Sequence, residues 1–291
     1  MKILGSCFLL FISAPLSAQT IDTAILGTVT DATGAVVPKA AITITQTSTG
    51  VRRTTESNGD GNYEVRYLVP GEYSVEVKGS GFRTARMASV QVQINQQVRI
   101  DFAMQVGEAT ESVEVNAAIL LHTENGTLGE VIGQEKIVNL PLNGRTFTQL
   151  AALTPGVRVT DADLFTSSTD GSRIVANGAR DAWLQANLDG ITIVNNRSNY
   201  INLYPSIDAL SEMNVQSGNY SAEYGGNAGA NVNMQLRSGT NQFHGTAFEF
   251  LRNDALDARN YFRPEPFAKD VLRRNQFGAV VSGPIVKDKT F

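Results

Sequence analysis

The chain has 291 residues, with 24 Lys and Arg against 28 Asp and Glu and a formal net charge of −4. This balance offers no basic stripe for phosphates and excludes nucleic acid as the expected partner. The single cysteine, Cys7, lies in the N-terminal leader described next, so the rest of the chain has no thiol for a disulfide, a metal or a covalent intermediate.

Lys2 followed by the apolar residues 3–12 and a small-residue stretch ending at Ala18, with Pro15 inside it, has the form of an export signal. Cleavage is expected after Ala18, with Leu16 at the −3 position. A lipoprotein reading of "LGSC" fails because no apolar run precedes Cys7. No later run reaches the ~18 apolar residues of a membrane-spanning helix. Membrane contact must then come from β-barrel strands or a partner.

Residues 25–106 alternate with period two and are punctuated by turns about every ten residues, the pattern of an all-β sandwich of about seven strands. Ile42 and Ile44 face one way in "AITITQT", and the inward sets of the later strands are Tyr73, Val75 and Val77, then Val90, Val92 and Ile94, then Val98, Ile100 and Phe102. "DATG", "SNGDGN" and "VPG" supply the turns. The oxygens of "NGDGN" also suit calcium, but a calcium loop lacks its glutamate here and a hairpin is the expected use.

The stretches "GTVTDATGAVVPKAAITIT", "TTESNGDGNYEVRYLVPGEYSVEVKGSGF" and "VRIDFAM" resemble the carboxypeptidase regulatory-like domain, a small transthyretin-like sandwich. The resemblance implies an accessory or carbohydrate-binding-like module, without peptidase residues or a zinc set. Next comes a Glu-rich linker, residues 107–122, in which Ser112, Val113, Glu114 and Val115, following Glu111, alternate and have the form either of a strand that adds to an exposed edge or of a last sandwich strand or plain tether.

From Gly129 the texture becomes an Asn- and Gly-rich α/β mixture. A helix is expected over residues 134–139 and a second between Pro141 and Pro155. "SIDALSEMNVQSG" predicts a short helix capped by Ser206 that passes into a strand, and "GANVNMQLRSGTN" a further strand. In the tail, "GTAFEFL" and "QFGAVVSG" alternate as two membrane-crossing strands. The charged, aromatic residues 253–273 form the expected extracellular loop between them, and "GPIVKDK" a periplasmic turn.

The segments "GEVIGQEKIVNLPLNGRTFTQLAALTPGV", "ANGAR", "LDGITIVNN", "PSIDALSEMNVQSGNYSAEYGGNAGANVNMQLRSGTN" and "RRNQFGAVVSGPIVKDKTF" are similar, in order and spacing, to the plug and first barrel strands of Oar-like TonB-dependent receptors. The expected architecture is mainly β: a signal at 1–18, a sandwich at 19–106, a linker at 107–122, an α/β plug at 123–237 and a truncated barrel from 238. The resemblance implies an outer-membrane protein with its sandwich in the periplasm. Its implied partners are a TonB-type energising protein of the inner membrane that pairs with a TonB-box-like strand at 111–115, outer-membrane lipid around the barrel, and an extracellular saccharide, peptide or chelate.

No catalytic arrangement is legible. His122 and His244 lack spaced partners for a metal site or a triad, and the glycines of "GNAGANVN" precede a strand instead of opening a helix. Neither an enzyme nor a cofactor is expected. Trp183, followed by Asn195, Asn196, Arg197 and Tyr200, forms a polar and aromatic set suited to ligands rich in hydroxyl or amide groups, the other reading being Trp183 as an ordinary packing anchor to the core or barrel wall. The alternative to transport is a secreted or surface adhesion-type protein that binds carbohydrate or protein.

Overall fold

The computed structural model describes residues 23–107, 112–114, 126–142, 145–160, 173–180, 183–195, 197, 200–224, 228–259, 261–262, 265–266, 268–269 and 271–291. The expected signal, His122, Asn196, Glu111 and Val115 lie outside the described residues.

The N-terminal part holds β1 (Ala24–Asp31), β2 (Ala41–Gln46), β3 (Arg52–Glu56), β4 (Asn62–Arg66), β5 (Gly71–Lys78), β6 (Thr84–Val92), β7 (Gln97–Arg99), β8 (Phe102–Met104) and β9 (Ser112–Glu114). One sheet runs β4-β1-β7, with β8 also paired to β1, and the other runs β3-β2-β5-β6-β9. The two apolar faces meet in one core in which Ile42, Ile44, Val75 and Val77 share a cluster with Ile25, Val29, Ile100 and Phe102. Each such burial contributes about 1.5–3 kcal/mol. The expected inward sets hold, with one refinement. Ile94 is buried but lies beyond the end of β6 and outside the sandwich cluster.

The alternating run that reads as one last strand is divided between β7 and β8, because β1 pairs in parallel with β7 over its first half and with β8 over its second. Where the partners change, Gly27 lies against the backbone, and a Cβ there would meet the Ile100 carbonyl oxygen at 1.8 Å. The Tyr63 hydroxyl donates to the same carbonyl at 2.8 Å. Desolvation raises the Tyr63 phenol far above its ordinary range, and desolvation likewise pushes Tyr73 up to about 12, so both stay neutral donors.

The "SNGDGN" segment departs from the hairpin expectation. Strands β3 and β4 belong to different sheets, and the turn carries the chain across the sandwich. Asn58 Oδ1 accepts the N–H groups of Asp60 and Asn62 at 3.0 and 2.9 Å, a use of the side chain that fixes the turn locally. The "DATG" turn works the same way. Asp31 Oδ1 accepts from the Thr33 hydroxyl and from the N–H groups of Thr33 and Ala35, and these bonds, the hydroxyl first, hold the Asp31 carboxyl below its usual range.

The next unit comprises β10 (Leu128–Gly133), α1 (Gln134–Asn139), α2 (Phe147–Ala151), β11 (Val157–Thr160), β12 (Arg173–Ala176), β13 (Gln185–Leu188), β14 (Ile191–Thr192), β15 (Leu210–Gly218) and β16 (Asn231–Leu236). Its main sheet has the order β10-β15-β16-β13-β14, and β11 pairs with β12 apart from it. Helix α1 stops at Leu140, whose extended ψ of 136° is what a residue before proline must adopt. Ile137 of α1 and Phe147 and Leu150 of α2 pack against Ile132, Val215, Val232 and Met234 of the sheet. The expected helix at 206–209 is a single 3-10 turn, Ile207–Ala209, and Ser206 makes no side-chain cap bond to its backbone.

Last comes the antiparallel pair β17 (His244–Asn253) and β18 (Arg273–Ser282), in register from His244↔Ser282 to Asn253↔Arg273. Gly245, Ala247, Glu249, Leu251, Phe277, Ala279 and Val281 share its exposed face, and Thr246, Phe248, Phe250 and Val280 the other, as the alternation predicts. Beyond β18 the chain turns tightly, with Ile285 and Val286 donating to the Thr290 carbonyl. No helix among the described residues is long and apolar enough to cross a membrane, which says nothing of crossing by strands.

Candidate functional site: the plug sheet and its attachments

The plug sheet has two unlike faces. Met213, Val215, Val232, Met234 and Ala186 point into the apolar core. On the opposite face, register places Asn214, Asn233 and Asn187 in one row and Gln216, Asn231 and Gln185 in the next. Asn187 Nδ2 donates to Asn233 Oδ1 at 2.9 Å, Asn231 Nδ2 to Gln216 Oε1 at 2.7 Å, and Gln185 Nε2 to Asn187 Oδ1 at 3.0 Å. Asn187, Asn214, Gln216, Asn231 and Asn233 are all buried. Amides both donate and accept, so a ladder of them tolerates burial where an isolated one would not. Asn231 Oδ1, Asn233 Nδ2 and Gln235 Oε1 have no hydrogen-bond partner among the described residues, a demand for polar neighbours on this face.

A second attachment gathers three elements. Arg145, in the left-handed region at φ 51°, directs Nη2 to Asp208 Oδ1 at 2.9 Å, and their side chains are only 10% and 6% exposed. The Arg145 guanidinium also sits 3.7 Å from the centroid of the Phe250 ring on β17. The loop after α1, the 3-10 turn and the first barrel strand are therefore tied at one cation. This contact also identifies the Phe248 and Phe250 face of the hairpin as the one turned toward the plug.

Ile94 makes the third. Its N–H donates to Glu212 Oε2 at 2.9 Å and its carbonyl accepts from Asn214 Nδ2 at 3.1 Å, so two side chains of β15 hold one sandwich residue as a paired strand would. Burial pushes the Glu212 carboxyl upward, partly offset by the Ile94 N–H. A cleft of about 360 Å³ lies beside this clip, between residues 93–96 and the strands β10 and β15. At the base of the barrel hairpin, Asn241 Nδ2 donates to the Thr49 carbonyl of the sandwich at 3.0 Å and to Asp288 Oδ1 at 2.7 Å.

The raised Glu212 carboxyl has a testable consequence. A carboxyl whose folded value lies above its unfolded value binds more protons in the folded state, so stability falls as pH rises from the ordinary carboxylate range through the raised value. Glu212→Gln removes that cost while keeping an acceptor for Ile94. The variant is expected to melt above the wild type at neutral pH, and the two curves to converge as the pH falls toward the ordinary carboxylate range. Equal melting temperatures at every pH would contradict this account.

Of the binding set read from the sequence, Trp183 stands two residues before β13 and is 41% exposed, with Arg180 over its ring at 6.0 Å. Asn195 N–H donates to the Tyr200 carbonyl at 2.8 Å, and Asn195 Oδ1 accepts the Arg197 N–H at 2.8 Å. Strands β13 and β14 are joined through Asp189 and Gly190, both in the left-handed region. Trp183 and Asn195 therefore lie toward the same end of that hairpin. Strand β13 runs parallel to β16, which leads into the base of the barrel hairpin, so this end points away from that base. The strand-addition candidate is described at Ser112–Glu114 only, where it pairs in parallel with β6. His244 stands at the entrance of β17 with Nδ1 3.0 Å from the Gln242 carbonyl. Arg145, Asp208, Glu212 and the amide rows were not singled out from the sequence, although Asn or Gln at alternate positions of "NVNMQL" was a signal for the last.

Three family models cover almost all of this architecture. The carboxypeptidase regulatory-like domain matches residues 24–105, the TonB-dependent receptor plug domain residues 128–232 and the outer membrane beta barrel domain residues 235–291. The chain is thus similar, domain by domain, to the TonB-dependent receptors. The TonB-dependent transporter Oar of Myxococcus xanthus is 29% identical over 284 residues, covering 91% of this chain and 25% of its own length. The chain thus spans about a quarter of that relative. Among solved structures, the siderophore receptor PirA of Acinetobacter baumannii is 23% identical, with a TM-score of 0.42 over 55% of this chain and 23% of its own. The outer membrane transporter YddB of Escherichia coli is 16% identical, with a TM-score of 0.37 over 44% of this chain and 19% of its own. The matched plug and barrel domains indicate the outer membrane.

Proposed function

We propose that the chain is the N-terminal part of a receptor that binds an extracellular ligand and imports it through a plugged barrel, and that it is not an enzyme. The observation that carries the reading is the succession, through residues 237–243, of strand β16, which ends in the plug sheet, and the hairpin of β17 and β18, whose exposed face presents Leu251, Phe277, Ala279 and Val281 with Glu249 among them. The Arg145 contact to Phe250 supports a plug seated inside that face. In this reading the sandwich is periplasmic, which fits its contact from Thr49 to Asn241 at the hairpin base. The end of the plug bearing Trp183, Asn195, Arg197 and Tyr200 faces outward and contacts a saccharide, peptide or chelate. The segment 111–115 takes up a strand of a TonB-type energising protein, and traction on it rearranges the plug. Lipid surrounds Phe277 and Val281, both 78% exposed.

Labelling of intact cells tests the orientation. Cys7 is the one cysteine within these 291 residues, and any further cysteine of the receptor is replaced along with it. In a Cys7→Ser background, Arg197→Cys is expected to react with a membrane-impermeant maleimide from outside, and Glu56→Cys on β3 only after the outer membrane is opened. Labelling of Glu56→Cys in intact cells would overturn the periplasmic assignment, and protection of Arg197→Cys the outward plug end.

A further inference from the structure

Among the described residues, strand β9 is the outermost strand of the sheet β3-β2-β5-β6-β9. Its register on β6 is Thr84↔Ser112, Ala85↔Val113 and Arg86↔Glu114. Successive backbone groups of a strand point to opposite edges, so alternate N–H and C=O groups of β9 face β6 and the others face outward. The two edges of this sheet are not equivalent. At the far edge, β3 presents exposed Arg52 and Arg53, the kind of charged blunting that discourages a further strand. Strand β6 ends at Val92, and two residues later Ile94 is held by Glu212 and Asn214 of plug strand β15.

Building on the strand-addition reading above, we infer that the energising protein adds its strand to the outer edge of β9 while β9 remains on β6, so that it grips the whole sandwich sheet. A strand already extended and paired on one side has lost its conformational freedom before the partner arrives, whereas a peeled strand must first break its bonds to β6. Traction then passes from β9 through the β6 ladder to Ile94 and on to β15. The sandwich is a lever between partner and plug, and the Ile94 clip is its point of attachment.

The test holds β9 in place. In a Cys7→Ser chain, Arg86→Cys and Glu114→Cys put thiols on two paired residues, and a short thiol-reactive cross-linker joins them. The probe is the purified periplasmic C-terminal domain of the TonB-type protein from the same cell. The cross-linked chain is expected to bind it within about twofold of the unlinked chain. Of Ser112→Pro and Val113→Pro, the one that removes an outward N–H abolishes binding. Loss of more than about tenfold on cross-linking would show that the partner peels β9 away, and would overturn this inference while leaving strand addition intact. Binding that survives both prolines would place the partner elsewhere and overturn it as well. No binding by either form of the chain would remove both the inference and the strand-addition reading.

Discussion

Replacing Arg145 with alanine is expected to destabilise the plug by about 3–5 kcal/mol, because it strands the buried Asp208 carboxylate without its cation. The pair itself need not stabilise the fold by that amount. Two charges taken from water roughly offset their attraction, and the large effect arises only when one is left alone. Asp208→Asn in combination with Arg145→Met, which removes both charges, is therefore expected to recover most of the loss. Trp183 is the only tryptophan and lies within the plug, so urea unfolding followed by its emission reports this unit separately from the sandwich. A transition midpoint unchanged in Arg145→Ala would show that Asp208 finds solvent or another donor. Because Arg145 also covers Phe250, the single variant should in addition loosen the plug from β17, seen as faster amide exchange in β17 than in β18.

Phe102→Ala is expected to cost the sandwich about 3–5 kcal/mol and to leave the Trp183 transition in place. Phe102 is only 1% exposed and sits on β8, where β1 has just changed partners, with its ring centroid 6.4 Å from that of Tyr63. Its removal opens a cavity between the two sheets at a point already fixed by the Gly27 approach to Ile100. The backbone is constrained there, so little collapse can offset the lost contacts. Circular dichroism melting should show an early sandwich transition in the variant. A single transition lowered as a whole, with Trp183 emission moving with it, would mean that plug and sandwich unfold as one cooperative unit coupled by the Ile94 clip and the Asn241 contact, and an unchanged melt would contradict the prediction.

The period-two rows of the sandwich and of the barrel hairpin were legible in the sequence because a strand with one apolar face has no other way to distribute its side chains. Ile42 and Ile44, Val75 and Val77, and Phe277 with Val281 all lie as their spacing requires. The turns were legible wherever glycine, proline or Asx residues fix local backbone geometry, as at Asp31 and Asn58. Pairing partners were less legible. The Asn58 turn joins two sheets instead of two neighbouring strands, since a turn specifies how the chain bends and not which edge the next strand finds.

By itself, the sequence determined the mainly β class, the order of sandwich, plug and barrel strands, and the resemblance to the receptor family, all of which rest on local periodicity and on motifs contiguous in the chain. Only the tertiary structure decided what becomes of the polar residues. Asn214, Asn231 and Asn233 alternate like solvent-facing positions, yet they are buried against one another, because register across three strands brings amides to partners that no single strand contains. Arg145 and Asp208 are 63 positions apart, and Ile94 lies 118 from Glu212 and 120 from Asn214. Charge pairing and hydrogen bonding act over a few ångströms of space, and chain separation of that size carries no local trace of them.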